Sequence, residues 1–269
     1  NIIVDPEARS AEILEQAQTL AQEVDGHIPD DPALLEEVTH LVECPTALLG
    51  SFEKRYLSLP QEVLIAVMKK HQRYFPVLNG RGRIMSYFVT VRNGGAKHLD
   101  KVRRGNEEVI RARYADAEYF YNQDSRYPLE HYVDDLKKLT FQTDLGSMLD
   151  KTHRLEAIAP WIALRLKLSP MEIDVVKRAA HLAKADLATS MVVEMTSLQG
   201  IMGREYAKRS GESLAVADAI AEHYKPASAD DDLPESKAGI VLALADRLDS
   251  LAGLFAVGLA PTGTSDPYG

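Results

Sequence analysis

The sequence predicts a mainly α chain with an α+β N-terminal part, and three observations carry that prediction. Apolar residues recur at helical spacing through most of the 269 positions. One stretch, RYFPVLNGRGRIMSYFVTV at 73–91, switches to the two-residue alternation of strands and is broken by a glycine-rich turn. Beyond Pro128 strand signals are scarce and helical ones dense. The chain is therefore read as two domains: an α+β domain over 1–138 and an all-α domain over 139–269. A content of 45% hydrophobic and 26% charged residues is enough to give both ordinary cores.

Taken in order, residues 7–24 place Ile13, Leu14, Ala17, Leu20, Ala21 and Val24 on one face of a first helix. A second runs through PALLEEVTHLV, with Asp31 as N-cap and Pro32 at its first position. A third, QEVLIAVMKKHQ, follows Pro60. The hairpin strands fall near 73–78 and 84–91, and Pro76 marks the first as an edge or bulged strand. A helix over 106–123 is expected, with Asn106 as cap and Glu107 paired to Arg111 at i, i+4. Six further helices are expected at 128–139, 147–166, 171–189, 197–209, 212–224 and 236–257, and the acidic ADDDLPES forms a loop.

Composition narrows the function classes. The longest apolar stretch, LAGLFAVGLA, is half of the roughly 20 residues that a membrane helix needs. The start, NIIVDPEARS, has no initiator Met and no secretory pattern, so the chain is expected to be a piece of a longer protein. A lone cysteine, Cys44, makes no internal disulfide, which suits a reducing cytoplasm. The net charge of −9 argues against general nucleic-acid affinity, but it is unevenly spread. Between Lys69 and Arg113 twelve Lys or Arg face only Asp100, Glu107 and Glu108, a local +9 that leaves −18 for the remainder. Such segregation calls for an anionic partner or an acidic neighbour.

Two constellations bear on chemistry. KTHRLEAIAPWIA, KRAAHLAKADL and VLALADRLDSL resemble, in order and helical setting, the ligand-bearing helices of HD-type metal phosphohydrolases. The ligands themselves are missing: the alignment leaves His153 and Asp246 but puts Ala183 and Lys184 where the His-Asp pair belongs, and an ammonium would repel a metal. His181 and Asp186 are no substitute, being about 140° apart around a helix. The positions His153, Ala183, Lys184 and Asp246 are thus read as vestigial, with no metal. Asp246 and Asp249 share a face and are expected to pair with Arg247 and its neighbours, and His223 is expected at a helix end. Lys184 is left as a phosphate or partner contact.

The basic block is the second. Arg103, Arg104, Arg111 and Arg113, with Lys69, Lys70 and Arg73, are the RNA-binding candidates, because guanidinium groups hold phosphates and the nearby Tyr114, Tyr119, Phe120 and Tyr121 offer faces for bases. The competing reading puts those aromatics in the core. There is no phosphate-binding glycine loop, dinucleotide fingerprint, zinc spacing or nucleophile signature, so no catalytic residue is assigned.

Several long runs resemble one family: CPTALLGSFEKRYLSLPQEVLIAVMKKHQRYFPV, RRGNEEVIRARYADAEYFY, KADLATSMVVEMTSLQGIMGREYA, ALADRLDSLAGLF and GLAPTGTSDPY. They look like the β subunit of the bacterial two-subunit glycyl-tRNA synthetase, and the likeness extends from about residue 40 to the end. The resemblance implies a B3/4-like α/β domain followed by an all-α HD-like domain, in an α2β2 assembly. It further implies an α subunit that holds ATP and Mg for glycine activation, a β subunit that binds tRNA(Gly), and a cytoplasmic setting. No cofactor is implied for this chain, and its end at DPYG suggests that the family's anticodon-binding part lies beyond it.

Three readings follow. The first is a noncatalytic part of a tRNA ligase that contacts tRNA and the catalytic subunit. The second is a metal phosphohydrolase acting on nucleotides or RNA ends. The third is a structural assembly module without RNA contact.

Overall fold

Asp5 opens the first helix by accepting a hydrogen bond from the Glu7 N–H, and Pro6 supplies a first position that needs no N–H of its own. The computed structural model describes residues 2–229, 231–261, 263 and 264. By its internal contacts the chain divides into two units, Asn1–Tyr121 and Asn122–Gly269.

In the first unit, α1 (Pro6–Gln22) buries Ile13, Ala17 and Ala21, spaced by four along one stripe. Asp31 caps α2 (Pro32–Leu41) through the Leu34 N–H at 3.1 Å. Strand β1 (Pro45–Ser51) follows, then a short 3-10 turn at Lys54–Ser58 and α3 (Gln61–Ala66), which continues as a π turn over Val67–His71. Strands β2 (Phe75–Leu78) and β3 (Ile84–Asn93) complete an antiparallel sheet of order β1-β3-β2. The register slips between Pro76 and Leu78, where proline cannot donate to the ladder. One core joins α1 and α2 to the sheet through Ile13, Ala17, Leu34, Val38, Phe75, Val77 and Val89. Phe88, facing the other way on β3, stacks on Tyr74 at 4.8 Å.

Helix α4 (Leu99–Asp124) is about two turns longer than the expected 106–123. Asn106 is therefore helix interior and not a cap. Glu107 accepts from the N–H and Oγ of Ser51 instead of pairing with Arg111. Strand β1 had no place in the sequence reading because TALL is too short and too evenly apolar to separate the two periods.

The second unit is helical apart from the two-stranded β4 (Thr140–Gln142) and β5 (Gly146–Ser147). Its helices are α5 (Met148–Arg165), α6 (Pro170–Leu182), α7 (Ser190–Glu194), α8 (Ile201–Arg209), α9 (Leu214–Glu222) and α10 (Lys237–Ala256). Ser147 and Ser169 form capping boxes with Asp150 and Glu172 at the starts of α5 and α6. Helix α5 packs on α6 and α10, and α9 packs on α6, α8 and α10.

The expected helix 128–139 is two 3-10 turns, Leu129–Tyr132 and Asp134–Lys138. The expected 171–189 is α6 ending at Leu182, followed by a 3-10 turn at Ala185–Ala188. The sequence reading set its boundary at 138, whereas the contacts divide after Tyr121. Leu129 and Leu136 are fully buried, the Leu129 N–H donates to Ser210 Oγ at 2.9 Å, and Asp124 accepts from the N–H groups of Ser190 and Met191 and from Tyr206 Oη. Among the described residues no helix is long and apolar enough to cross a membrane.

Candidate functional site

The end of α6 sets the geometry of the helical unit. The helix stops at Leu182 with Ala183 as its cap, so the next residues leave the helical path. His181, still on α6, turns to Glu156, whose Oε1 lies 2.6 Å from Nδ1, and to Glu130 at 3.4 Å. Asp186, in the following 3-10 turn, is fully buried and accepts the N–H groups of Gly200 at 2.6 Å and Gly203 at 3.1 Å. The two side chains serve different neighbours.

Lys184 lies between them in the chain and is 3% exposed. Its Nζ donates to Asp246 Oδ2 at 3.0 Å and to His223 Nε2 at 2.8 Å, and sits 4.2 Å from the centre of the Tyr224 ring. His223 Nδ1 is 2.6 Å from the Ile220 carbonyl; with its proton there, Nε2 is left as an acceptor. A second buried lysine, Lys151 of α5, lies 3.1 Å from Asp246 Oδ1 and donates to Asp249 at 3.0 Å and Ser250 Oγ at 2.8 Å. Arg154 closes the network on Asp249 at 2.6 Å. Asp249 had been expected to pair with Arg247; Arg247 instead donates to the carbonyls of His223, Tyr224 and Pro226.

Burial opposes charge at Asp246, yet the charges of Lys184 and Lys151 hold its carboxyl well below the usual range. Burial lowers Lys184, with Asp246 acting against that, and it pushes His223 down to about 3, aided by the Lys184 charge. His223 is therefore neutral at physiological pH. Burial raises Asp186 to about 6, the two glycine N–H groups opposing it. A cavity of about 520 Å³ adjoins the cluster, lined among others by His223, Tyr224, Asp246, Arg247, Ser250 and Phe255.

Of the four positions that the sequence reading took as vestigial, Ala183, Lys184 and Asp246 lie in or beside this cluster, while His153 is exposed on α5. Among the described residues no three His, Cys, Asp or Glu side chains are grouped as metal ligands would be. Because Lys184 is spent on Asp246 and His223, it presents no ammonium to a phosphate or a partner surface, as the sequence had left open.

In the first unit the seven basic candidates divide by their partners. Arg103 pairs with Asp100 at 2.9 Å, Arg111 bridges Glu53 and Glu108 at 2.7 Å each, Arg73 pairs with Glu37 at 2.7 Å, and Lys69 pairs with Asp31. Arg104, Arg113 and Lys70 are exposed and have no ion pair among the described residues. Tyr114 is core: it is fully buried against Phe52 and Tyr56, and its hydroxyl donates to the Leu64 carbonyl at 3.2 Å. Tyr119 keeps 59% of its surface exposed.

Comparison with known proteins decides the family. The model of the glycyl-tRNA synthetase beta subunit matches residues 1–269. The chain belongs to the glycyl-tRNA synthetase β-subunit family. Relatives named glycine–tRNA ligase beta subunit include those of Desulforudis audaxviator, 51% identical over 99% of this chain, and Bacillus subtilis, 47% identical over all of it. That of Moorella thermoacetica is 50% identical over 99%. These matches cover 39%, 40% and 38% of the relatives, so the chain spans about two fifths of their length.

Within this β-subunit chain, sequence reasoning missed Lys151 and Arg154 because a search for metal ligands passes over cations. The available signal was their position: three and six residues after the start of an amphipathic helix, on either side of His153, the residue that drew attention. It also left His223 unpartnered, since nothing in AIAEHYKP points to a lysine 39 positions earlier.

Proposed function

We propose that this chain is a noncatalytic part of a glycine–tRNA ligase β subunit, which contributes to binding tRNA(Gly) and to assembly with the catalytic α subunit. The observation that carries the noncatalytic role is the Lys184 ammonium, 3.0 Å from Asp246 and 2.8 Å from His223. A lysine in that place neutralises the carboxylate that a divalent cation would need and repels the cation itself. This supports reading the helical unit as an HD-like domain whose metal chemistry has been replaced by an internal ion-pair network; the N-terminal unit is read as B3/4-like on the family resemblance alone.

In this reading tRNA meets the basic block, with Arg104, Arg113 and Lys70 as the contacts that need no carboxylate displaced. ATP and Mg belong to the α subunit, the assembly is α2β2, and the setting is cytoplasmic. The names of the relatives support the ligase assignment, and the local +9 supports the anionic partner.

The test is filter binding of glycine tRNA across a salt series, with the purified chain assayed in parallel for bound metal. Salt-dependent binding that weakens in Arg103→Glu/Arg104→Glu is expected. Binding that shows no salt dependence would leave only an assembly module. Stoichiometric Mn, Fe or Zn lost on replacing His153, His181 and Asp246 would favour the phosphohydrolase.

A further inference from the structure

The chain has one tryptophan, and it is not in the core. Trp161, near the C-terminal end of α5, is 57% exposed, and the Arg165 guanidinium one turn later lies 5.0 Å from its ring centre. A half-exposed indole forgoes most of the stabilisation that burying it would give. Its Arg165 partner holds the ring in a defined orientation through a cation–π contact.

The charge along this stretch of sequence is one-sided. From Ala157 to Ser169 the sequence AIAPWIALRLKLS contains Arg165 and Lys167 but no acidic residue, in a chain with 40 of them. Neither Arg165 nor Lys167 has an ion pair among the described residues. The negative end of the α5 dipole accounts for cations in the last turn. It gives no reason for an indole to lie in water beside them.

We infer that Trp161 and Arg165 form a stacking site for an unpaired RNA base, with Lys167 meeting the adjoining phosphate. This extends the proposed tRNA-binding role to the helical unit and rests on it. The exposed Leu164, Leu166 and Met171 nearby would also suit a protein surface. Charge favours RNA over an apolar partner: an apolar protein face closing over this patch would bury two cations with no carboxylate to meet them, whereas single-stranded RNA brings a phosphate with every base.

Because Trp161 is the only tryptophan, the fluorescence of the 269-residue chain reports on this one position. Titration with a short single-stranded RNA should quench it saturably, and about 0.5 M salt should reverse the effect. A fully paired RNA of the same length should quench it far less. Arg165→Ala/Lys167→Ala should shift the midpoint roughly tenfold, and Trp161→Leu should weaken binding of a dye-labelled RNA by a similar factor, as expected for one stacked base. The inference falls if single-stranded RNA leaves the fluorescence unchanged, or if Trp161→Leu binds RNA as the parent does. It also falls if the emission responds to the catalytic subunit and not to RNA. The two proposals separate cleanly: loss of tRNA affinity in Arg103→Glu/Arg104→Glu with none in Trp161→Leu overturns this site alone, and the reverse overturns the basic block alone.

Discussion

Lys184 Nζ and Asp246 Oδ2 lie 3.0 Å apart in the helical unit, joining the end of α6 to α10 across 62 residues. The pair is almost dry, with Lys184 side-chain exposure of 4% and Asp246 of 16%, so each charge depends on the other.

Lys184→Met is therefore expected to destabilise the chain by about 3–5 kcal/mol, the usual cost of leaving a buried charge without its partner. Lys151 remains near Asp246 and places the effect at the lower end. The double variant Lys184→Met/Asp246→Leu should recover most of the loss. Urea unfolding of parent, singles and double measures the coupling, and a single variant as stable as the parent would show the pair to be idle.

Asp186 gives a pH signature. Its folded-state pKa of about 6 lies above the ordinary 3.8, so the folded chain holds the proton more tightly than the unfolded one. Stability from this group is fully present below about pH 4 and is lost as pH rises through 6. Relative to Asp186→Asn, the parent should lose about 2–3 kcal/mol between pH 4 and pH 6.5, two pKa units at 1.4 kcal/mol each. Denaturant midpoints at the two pH values provide the check, and a constant difference would contradict it.

Gly200 and Gly203 in QGIMGREYA donate their N–H groups to the same carboxylate, and the space around each leaves no room for a side chain. Gly200 has φ +77°, a region that side chains avoid, and a Cβ there would fall 2.5 Å from Tyr224 Cδ2. At Gly203 it would lie 2.7 Å from Ile220 Cγ2 and 3.0 Å from Asp186 Oδ2. Gly203→Ala should cost about 1–3 kcal/mol through overpacking. Gly200→Ala should cost more, because strain adds to the clash. Thermal unfolding ranks them, and equal midpoints would refute the order.

In the basic block, Arg104 and Arg111 are expected to differ. Arg111 is held by Glu53 and Glu108, and those hydrogen bonds raise its pKa further, whereas Arg104 has no such partner among the described residues. Arg104→Ala should lower the salt slope of tRNA binding by about 1, and Arg111→Ala by much less. Equal slopes in the two variants would show that Arg111 leaves its carboxylates on binding.

Periodicity, capping and charge were local enough to be read in the sequence. The cap at Asp31 and the hairpin at 75–93 depend on neighbours within a few positions, and the family resemblance rested on long ordered runs. The α4 start was misjudged because LDKVRRG offers a helix little apolar pattern, and the 3-10 turns at 129–138 because their packing against distant residues outweighs local helical preference.

The sequence by itself determined that Ala183 and Lys184 stand between His181 and Asp186, where the likeness to HD-type helices led to the expectation of a lost ligand pair. What surrounds them was settled only by the tertiary structure. A helix that ends at Leu182 turns Lys184 inward, and α5, α9 and α10 bring Lys151, His223, Asp246 and Asp249 to it from 33 or more positions away. Burial then fixes the charges: two carboxylates and two ammonium groups withdrawn from water must satisfy one another, and no local pattern encodes that requirement.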